Sequence, residues 1–291
     1  MNTRPTHPLR YYFSAALTLA LAGFLGCSKH DMSKNGEPSH AGHTKTDSGK
    51  KTPEKHGGHA GGQAKSVLIV TTEPAAIKPG EPVKLNLMIH GATGAMITDF
   101  ETVHEKKLHL IIVRDGLDRF AHIHPKIDRD GNITGTFTFP TAGTYRLYAD
   151  HKTAGQEPVA AMAEVLVAGT PPPKPELVPN APGRVTGDDL AAEIVIETSK
   201  AGATTRISFT LFDAADQPVA DLQPYLGAMG HLVVVSADGQ QYVHSHPLEA
   251  KSSAGSVEFE AHFPQPGIYK GWGQFQRSDT VHDVPFVVEI E

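Results

Sequence analysis

Residues 109–125 read HLIIVRDGLDRFAHIHP, and residues 231–247 repeat the pattern as HLVVVSADGQQYVHSHP. Each copy holds a run of β-forming apolar residues, a turn that contains glycine, and a short second run that ends in His-x-His-Pro. Apolar runs on both sides of such a turn are typical of a β-hairpin. The sequence therefore predicts two equivalent hairpins, displaced by 122 residues along the chain.

The pairing of the first hairpin decides where its histidines lie. With the turn at residues 114–119, His109 lies opposite His124, and His122 lies two residues before His124 on the same strand. Side chains alternate between the two faces of a strand, so all three imidazoles project from one face. Paired side chains are ~5 Å apart and diagonal ones ~7–8 Å. We therefore predict that the three ring nitrogens converge on one ion.

The second hairpin predicts the same arrangement. Its register places Val235 opposite Tyr242. Three histidines then share one face: His231, His244 and His246. A shift of one residue in either register would send the first histidine of that triad to the opposite face.

The rest of the chain predicts an all-β protein with two tandem antiparallel β-sandwich domains of the immunoglobulin or cupredoxin type. Short strands separated by turns fill residues 66–168, and the pattern restarts at residues 184–291. The motif FPxxGxY recurs near the end of each domain. Residues 169–183 contain six prolines and are predicted to be a stiff linker. Trp272, between two glycines, is either a surface aromatic or a contact between the domains.

The N-terminal region is predicted to lie outside the fold. Residues 1–26 carry basic residues followed by an apolar stretch too short for a comfortable membrane span, which is typical of a signal peptide. Cys27 follows directly, as in bacterial lipoproteins, where this cysteine becomes lipidated. That resemblance implies a lipid-anchored, periplasm-facing protein of the cell envelope, and Ser28 favours the outer membrane.

Residues 27–65 are polar and low in complexity, and they predict a disordered tether. Short histidine-rich tracts bind metals weakly. Two interpretations stay open, a tether that collects metal ions and a solvated spacer with incidental histidines. The histidines concerned are His30, His40, His43, His56 and His59.

Composition excludes several classes of site and partner. Cys27 is the only cysteine, so an intrachain disulfide framework and a thiolate copper centre of the blue type are both excluded. A net charge of −6 gives no indication of nucleic-acid binding. Any bound metal must therefore be held by histidine, methionine or carboxylate side chains.

Further candidate ligands lie near the same ends of the domains. His151 or His104 is expected to complete the first triad, and Met229 or His282 the second. Three histidines with an open or weak fourth position suit Zn²⁺ or Cu²⁺, and a thioether adds affinity for Cu⁺. At equal supply copper outcompetes zinc at such nitrogen-rich sites, so copper is the favoured ion.

The two hairpins, each followed by FPxxGxY, resemble domains of secreted bacterial proteins of the FixH-like and YtkA-like groups. Such domains often accompany genes for copper or heavy-metal handling. The resemblance covers residues 66–168 and 184–291 and implies a metal-linked role in the envelope, without an established ligand set. Lys107-Leu108 stands where the second copy has Met229-Gly230, so the two sites are not expected to be equivalent.

Three functions are compatible with these features. The first is a non-catalytic lipoprotein that binds copper, or zinc, as a buffer, chaperone or efflux accessory, with envelope metal-transport proteins as possible partners. The second is a structural or interaction module of an envelope complex, whose histidines only shape loops. The third is a His₃ metal-dependent hydrolase or hydratase, for which Asp150 is the one carboxylate near a triad.

Overall fold

The structure is a computed structural model that describes residues 59–60, 66–248 and 255–291. These residues form β-strands and connecting segments, and within them no helix could span a membrane. The predicted signal peptide, the lipidation site at Cys27 and the tether, apart from residues 59–60, lie outside the described residues.

The first domain is a sandwich of two four-stranded antiparallel sheets, as predicted. One sheet has the order β2-β3-β7-β6 and the other β5-β4-β8-β9. A two-residue strand precedes the domain, and the nine strands up to the linker are β1 (His59–Ala60), β2 (Val67–Glu73), β3 (Pro82–His90), β4 (Leu108–Arg114), β5 (Phe120–Ile123), β6 (Lys126–Ile127), β7 (Ile133–Thr138), β8 (Gly143–His151) and β9 (Val159–Val167).

The second domain repeats the architecture. Its sheets have the orders β10-β11-β12-β15 and β14-β13-β16-β17, and β1 adds to the free edge of β14 with His59 opposite His244. Its strands are β10 (Arg184–Thr186), β11 (Leu190–Ile196), β12 (Thr204–Asp213), β13 (His231–Ser236), β14 (Tyr242–Ser245), β15 (Ser256–His262), β16 (Gly267–Arg277) and β17 (Thr280–Ile290).

Each sandwich encloses its own apolar core. In β3 every second residue from Val83 to Ile89 is fully buried, while the intervening side chains are more exposed. Ile207, Phe209 and Leu211 of β12 do the same in the second domain. In both strands the apolar residues thus alternate with period two and mark the side that faces the core.

The FPxxGxY motif forms the same corner in both domains. The hydroxyl of Tyr145 donates to the carbonyl of Thr141 at 3.0 Å, and that of Tyr269 donates to the carbonyl of Gln265 at 2.8 Å. The glycine two residues before each tyrosine has a positive φ (127° at Gly143), a backbone conformation that residues other than glycine rarely adopt. The repeated motif thus encodes a turn that directs the chain into β8 or β16.

Both histidine hairpins have the predicted register. Ile111 pairs with His122 and Val113 with Phe120, which places the loop at residues 114–119. In the second hairpin Val235 pairs with Tyr242. The first histidine of each triad therefore shares a face with the two histidines of the His-x-His segment.

The two domains pack through the sheets that carry these hairpins. Two stacked aromatic pairs cross the interface: Tyr148 lies on Tyr242, with ring centroids 4.9 Å apart, and Phe120 lies on Trp272 at 4.6 Å. Phe120 corresponds to Tyr242, since each lies two residues before the middle histidine of its triad, and Tyr148 corresponds to Trp272, since each lies three residues after the tyrosine of FPxxGxY. The interface is therefore reciprocal, as in a two-fold dimer of identical surfaces. Trp272 was predicted to be either a surface aromatic or a contact between the domains, and the stack on Phe120 confirms the second alternative.

The interface also contains aliphatic residues and the linker. A buried cluster between the domains is formed by Ile111, Val113, Leu117, Tyr148, Val233, Val235, Tyr242 and Trp272, with Leu177 of the linker packed against it. The linker carbonyl of Pro172 accepts a hydrogen bond from Arg114. The proline-rich segment therefore lies along the domains instead of separating them.

Candidate metal centre

The first triad brings three ring nitrogens to one point. Nδ1 of His109 lies 3.0 Å from Nε2 of His122, and Nε2 of His124 lies 3.2 Å from each of them. An ion with tetrahedral nitrogen ligands at about 2.05 Å separates each pair of ligand atoms by about 3.3 Å. The triangle of nitrogens therefore already has nearly the size that a tetrahedral ion requires.

The outward nitrogens of this triad decide where the protons lie. Nε2 of His109 faces the carbonyl of Val103 at 3.2 Å, and Nδ1 of His122 faces Oε1 of Gln274 at 2.6 Å. Both partners are acceptors only, so each ring carries its proton on the outward nitrogen. The amide of Gln274 is oriented by its own N–H, which donates to Asp283. The inward nitrogens of His109 and His122 therefore present lone pairs to each other.

The second triad repeats this arrangement with equivalent atoms. Nε2 of His231 donates to the carbonyl of Tyr225 at 2.9 Å, and Nδ1 of His244 donates to Asp150 at 2.7 Å. The inward nitrogens are Nδ1 of His231, Nε2 of His244 and Nε2 of His246. They lie within 4.8 Å of one another, are buried, and have no hydrogen-bond partner. Buried polar atoms without partners are rare in folded proteins.

Burial keeps five of the triad imidazoles neutral. It lowers the pKa of His109 to about 3, with the nearby His244 ring as the second cause. Burial, followed by the charge of Lys106, lowers the pKa of His124 to about 4. Burial also holds the pKa values of His122, His231 and His246 well below the ordinary value. Neutral imidazole is the form that binds metal ions.

The two triads lie side by side at the domain interface. The ring of His109 is 5.2 Å from that of His244 and 6.2 Å from that of His231, and the ring of His122 is 5.7 Å from that of His244. The sequence predicted one triad in each domain but not their proximity. The fold joins them into one cluster of six histidines.

The hydrogen bonds that orient the middle histidines cross between the domains. His122 of the first domain is held by Gln274 of the second, and His244 of the second is held by Asp150 of the first. Gln274 and Asp150 are themselves equivalent, since each pairs across its sheet with the first histidine of its own triad. Each domain therefore orients a ligand of the other domain's triad. Such supporting hydrogen bonds fix the tautomer and the ring orientation of metal-binding histidines.

A family model for a domain of unknown function, DUF8832, matches residues 64–167 and 184–291. The chain belongs to this family. It contains two copies of the DUF8832 domain, and they coincide with the two sandwiches. The resemblance to the FixH-like and YtkA-like groups stays a prediction. No curated protein matches the chain.

Solved structures with some similarity to this chain include adhesion proteins and a putative membrane anchored protein. The Escherichia coli adhesin FdeC has 17% identity and a TM-score of 0.25 over 79% of this chain and 65% of its own. A four-repeat segment of a large adhesion protein has 11% identity and a TM-score of 0.27 over 78% and 49%. A putative membrane anchored protein of Corynebacterium diphtheriae has 12% identity and a TM-score of 0.24 over 78% and 57%. The chain thus spans less than two thirds of each, and TM-scores this low support no functional inference.

The predicted fourth ligands of the first triad lie elsewhere in this DUF8832 chain. His151 pairs with Leu108, a core residue, while the neighbouring Asp150 pairs with His109. Alternation therefore turns His151 to the core side, where its ring contacts Phe100. His104 stacks on His246 of the other domain, with ring centroids 3.5 Å apart.

Met229 and His282, the predicted fourth ligands of the second triad, both lie toward the core of the second domain. Met229 packs against the apolar core of the second domain. It lies outside β13, which begins at His231, so the alternation expected from strand geometry does not extend to it. His282 lies two residues before the core residue Val284 on β17, and it faces Asp189 at 3.7 Å. Among the described His, Cys, Asp and Glu side chains, the groups that could hold an ion are the two histidine triads.

The two supporting residues are not predicted as such from the sequence. Asp150 is expected there only as an acid or base, and Gln274 has no predicted role. One signal was available: both lie five residues after the tyrosine of FPxxGxY, opposite the first histidine of their own triad. That they act on the other domain's triad follows only from how the domains pack.

Proposed function

We propose that this protein binds copper, with zinc as the second candidate, through the two histidine triads at its domain interface. One observation carries the proposal. In each triad at least two inward nitrogens must carry lone pairs, because the outward nitrogens donate to acceptors. Lone pairs held together inside a protein repel one another unless an N–H or a cation lies between them, and in the second triad none of the three inward nitrogens has a hydrogen-bond partner.

The ligand chemistry supports copper or zinc over other ions. Neutral imidazoles suit both metals, and three of them leave a fourth tetrahedral position open for water, a small anion or a ligand from a partner. Copper binds such nitrogen-rich sites more tightly than zinc does. An open position also lets a metal ion pass to another ligand set, which a buffer, chaperone or efflux accessory requires.

A purely structural role for the histidines is less well supported. A structural cluster would satisfy its buried nitrogens with hydrogen bonds, whereas three inward nitrogens of the second triad have no partner. The hydrolase interpretation is also less well supported, because the carboxylate proposed as its acid or base is already engaged in hydrogen bonds. Asp150 is buried and accepts hydrogen bonds from His244 and Tyr242, so it already has a supporting role.

The proposed cellular setting is the bacterial envelope. It depends on the signal peptide, on lipidation of Cys27, and on the resemblance to FixH-like and YtkA-like domains. In this proposal the lipid anchor holds the protein on the periplasmic side, the histidine-rich tether collects ions, and the triads retain them. Envelope metal-transport proteins would be the partners that supply or receive the ion.

Metal titration of the purified full chain tests the proposal. We expect two tight sites for Cu⁺ or Zn²⁺ in competition with a chromophoric chelator. The control is the same chain with His124→Ala and His246→Ala, which removes one ligand from each triad and keeps the tether histidines. Equal metal uptake by both proteins would refute triad binding, as would the absence of uptake at micromolar metal.

A further inference from the structure

The two triads differ at one equivalent pair of residues. Asp150 and Gln274 each pair with the first histidine of their own domain's triad, and each then contacts the middle histidine of the other triad. One of these residues is a carboxylate and the other an amide. The geometry is matched, with contacts of 2.7 and 2.6 Å, so the difference between the sites is mainly one of charge.

In the second triad the carboxylate of Asp150 bonds directly to a metal-site histidine, His244. Asp150 accepts hydrogen bonds from Nδ1 of His244 and from the hydroxyl of Tyr242, and all three side chains are buried. A carboxylate on the outer nitrogen makes the imidazole a stronger electron donor. It also places a negative charge beyond the ring, where a buried cation gains most from it.

On the His122 side the negative charge is one residue further away. Gln274 stands between His122 and Asp283, accepting from the histidine and donating to the carboxylate at 2.8 Å. Lys106 also acts on His124 of this triad as a positive charge. The first triad therefore offers three neutral ligands, none of which bonds directly to a carboxylate, and the Asp150 charge reaches it only through space, at His109.

The two triads also differ in burial, and burial increases the effect of a nearby charge on a bound cation. All three histidines of the second triad are buried, whereas His122 and His124 of the first are partly exposed. A divalent cation in a buried site is costly unless an anion accompanies it. A monovalent cation in a partly exposed site has less need of one.

We infer that the exchange between Asp150 and Gln274 makes the second triad the site for a divalent cation and the first triad the site for monovalent copper. This inference rests on the proposed function, since it divides two metal sites between two ionic charges. Asp150 and Gln274 are then positioning residues that set metal preference without touching the metal.

The size of the effect follows from charge. Loss of a residue that supports a metal-binding histidine typically weakens binding by about 10–100-fold. Coulomb energy is proportional to the product of the charges, so its logarithmic effect on a monovalent ion is half that on a divalent one. Removal of the Asp150 charge should weaken Zn²⁺ binding at the second triad by about 10–100-fold and Cu⁺ binding by about 3–10-fold.

The experiment uses full chains with a single intact triad. His124→Ala leaves the second triad intact, and His246→Ala leaves the first. Asp150→Asn is then added to each, because asparagine retains an acceptor for His244 and removes the charge. Dissociation constants for Zn²⁺ and Cu⁺ are measured by chelator competition, after subtraction of the tether background from the chain with both alanines. The matched control is Asp283→Asn, which alters a partly buried carboxylate that bonds to Gln274 instead of a triad histidine.

The inference predicts a larger loss for Zn²⁺ than for Cu⁺ at the second triad, and for each ion a smaller loss at the first triad, where Asp150 acts on His109 without a hydrogen bond. Equal losses for the two ions would reduce Asp150 to a structural support and overturn the inference. Unchanged affinities would also overturn it while leaving the proposed function intact. If the wild-type protein bound no metal under any condition, both the inference and the proposed function would be rejected.

A reverse exchange guards against misfolding of the Asp150 variant. Gln274→Glu is combined with Asp283→Asn, so that the new carboxylate faces an amide and not a second carboxylate. In the His246→Ala chain we expect about 10-fold tighter Zn²⁺ binding at the first triad. Unaltered or weaker Zn²⁺ binding, with an unchanged thermal melting temperature, would contradict the inference independently.

Discussion

The carboxylate of Asp150 in the first domain accepts a 2.7 Å hydrogen bond from Nδ1 of His244 in the second domain. This contact joins a metal-site histidine to the opposite sandwich, and Gln274 makes the reciprocal contact to His122. The domain interface and the candidate metal sites are therefore one structure. A change in either is expected to affect the other.

Replacement of Asp150 by alanine should destabilise the metal-free protein. Two buried donors, His244 and Tyr242, lose their acceptor, and such a loss costs about 1–3 kcal/mol. Urea unfolding followed by circular dichroism measures the change. Asp150→Asn keeps an acceptor and should cost less than half as much. Equal stability of the alanine variant and wild type would mean that water replaces the carboxylate without penalty.

Replacement of His124 by alanine should abolish tight binding at the first triad with little loss of stability. This imidazole is partly exposed, and its contacts are with the other two histidines of the triad. We expect one tight metal ion fewer per chain and a change in unfolding free energy below about 1 kcal/mol. The control is His90→Ala, which removes a histidine that bonds only to the Gly94 carbonyl among the described contacts. Loss of tight binding in the control would contradict the assignment.

Metal release should require a lower pH than free histidine does. The pKa values of His109 and His124 in the folded protein are about 3 and about 4, so protons compete with metal only near those values. Free histidine, by contrast, titrates near pH 6.5. Zn²⁺ bound at the first triad should therefore remain at pH 5.5 and dissociate as the pH approaches about 4. A chelator-monitored pH titration with a release midpoint near 6.5 would instead indicate binding by exposed histidines.

The stability of the metal-free protein should also fall in acid. Below about pH 6.5 the unfolded chain binds protons on His109 and His124, while the folded protein keeps both rings neutral. Unfolding free energy is therefore expected to decrease between about pH 6.5 and about 4, where His124 begins to titrate in the folded state. Urea midpoints measured across this range test the sign. The chain with His124→Ala and His246→Ala should show a shallower decrease.

Trp272 offers an optical probe of the interface. It is the only tryptophan in the chain, it is buried, and it stacks on Phe120 of the other domain. Trp272→Ala should destabilise the protein by roughly 3–5 kcal/mol, as for other buried tryptophans, whereas Trp272→Phe keeps the stack and should cost less. In wild type, fluorescence emission should shift to longer wavelength when the domains separate in denaturant. An emission maximum typical of exposed tryptophan in the native protein would contradict the buried contact.

Much of the fold and of each triad could be predicted from local pattern. Alternation in β3 and β12 identified their core-facing sides, and the glycine-containing turns set the register of both hairpins. Three histidines at fixed spacing on paired strands must then share a face, whatever surrounds them. The predicted ligands His151 and Met229 lie outside the triads, and the reasons are equally local. His151 falls one residue out of phase with Asp150, and Met229 lies before its strand begins.

What the sequence by itself determined is the repeated sandwich and the three-by-three grouping of the histidines, because strand alternation and hairpin register act over a few residues. Only the tertiary structure decided that the triads meet at one interface, that Asp150 and Gln274 orient each other's ligands, and that Trp272 is buried. These relationships join residues about 90 to 150 positions apart. They depend on how two formed surfaces fit together, and no local periodicity specifies that.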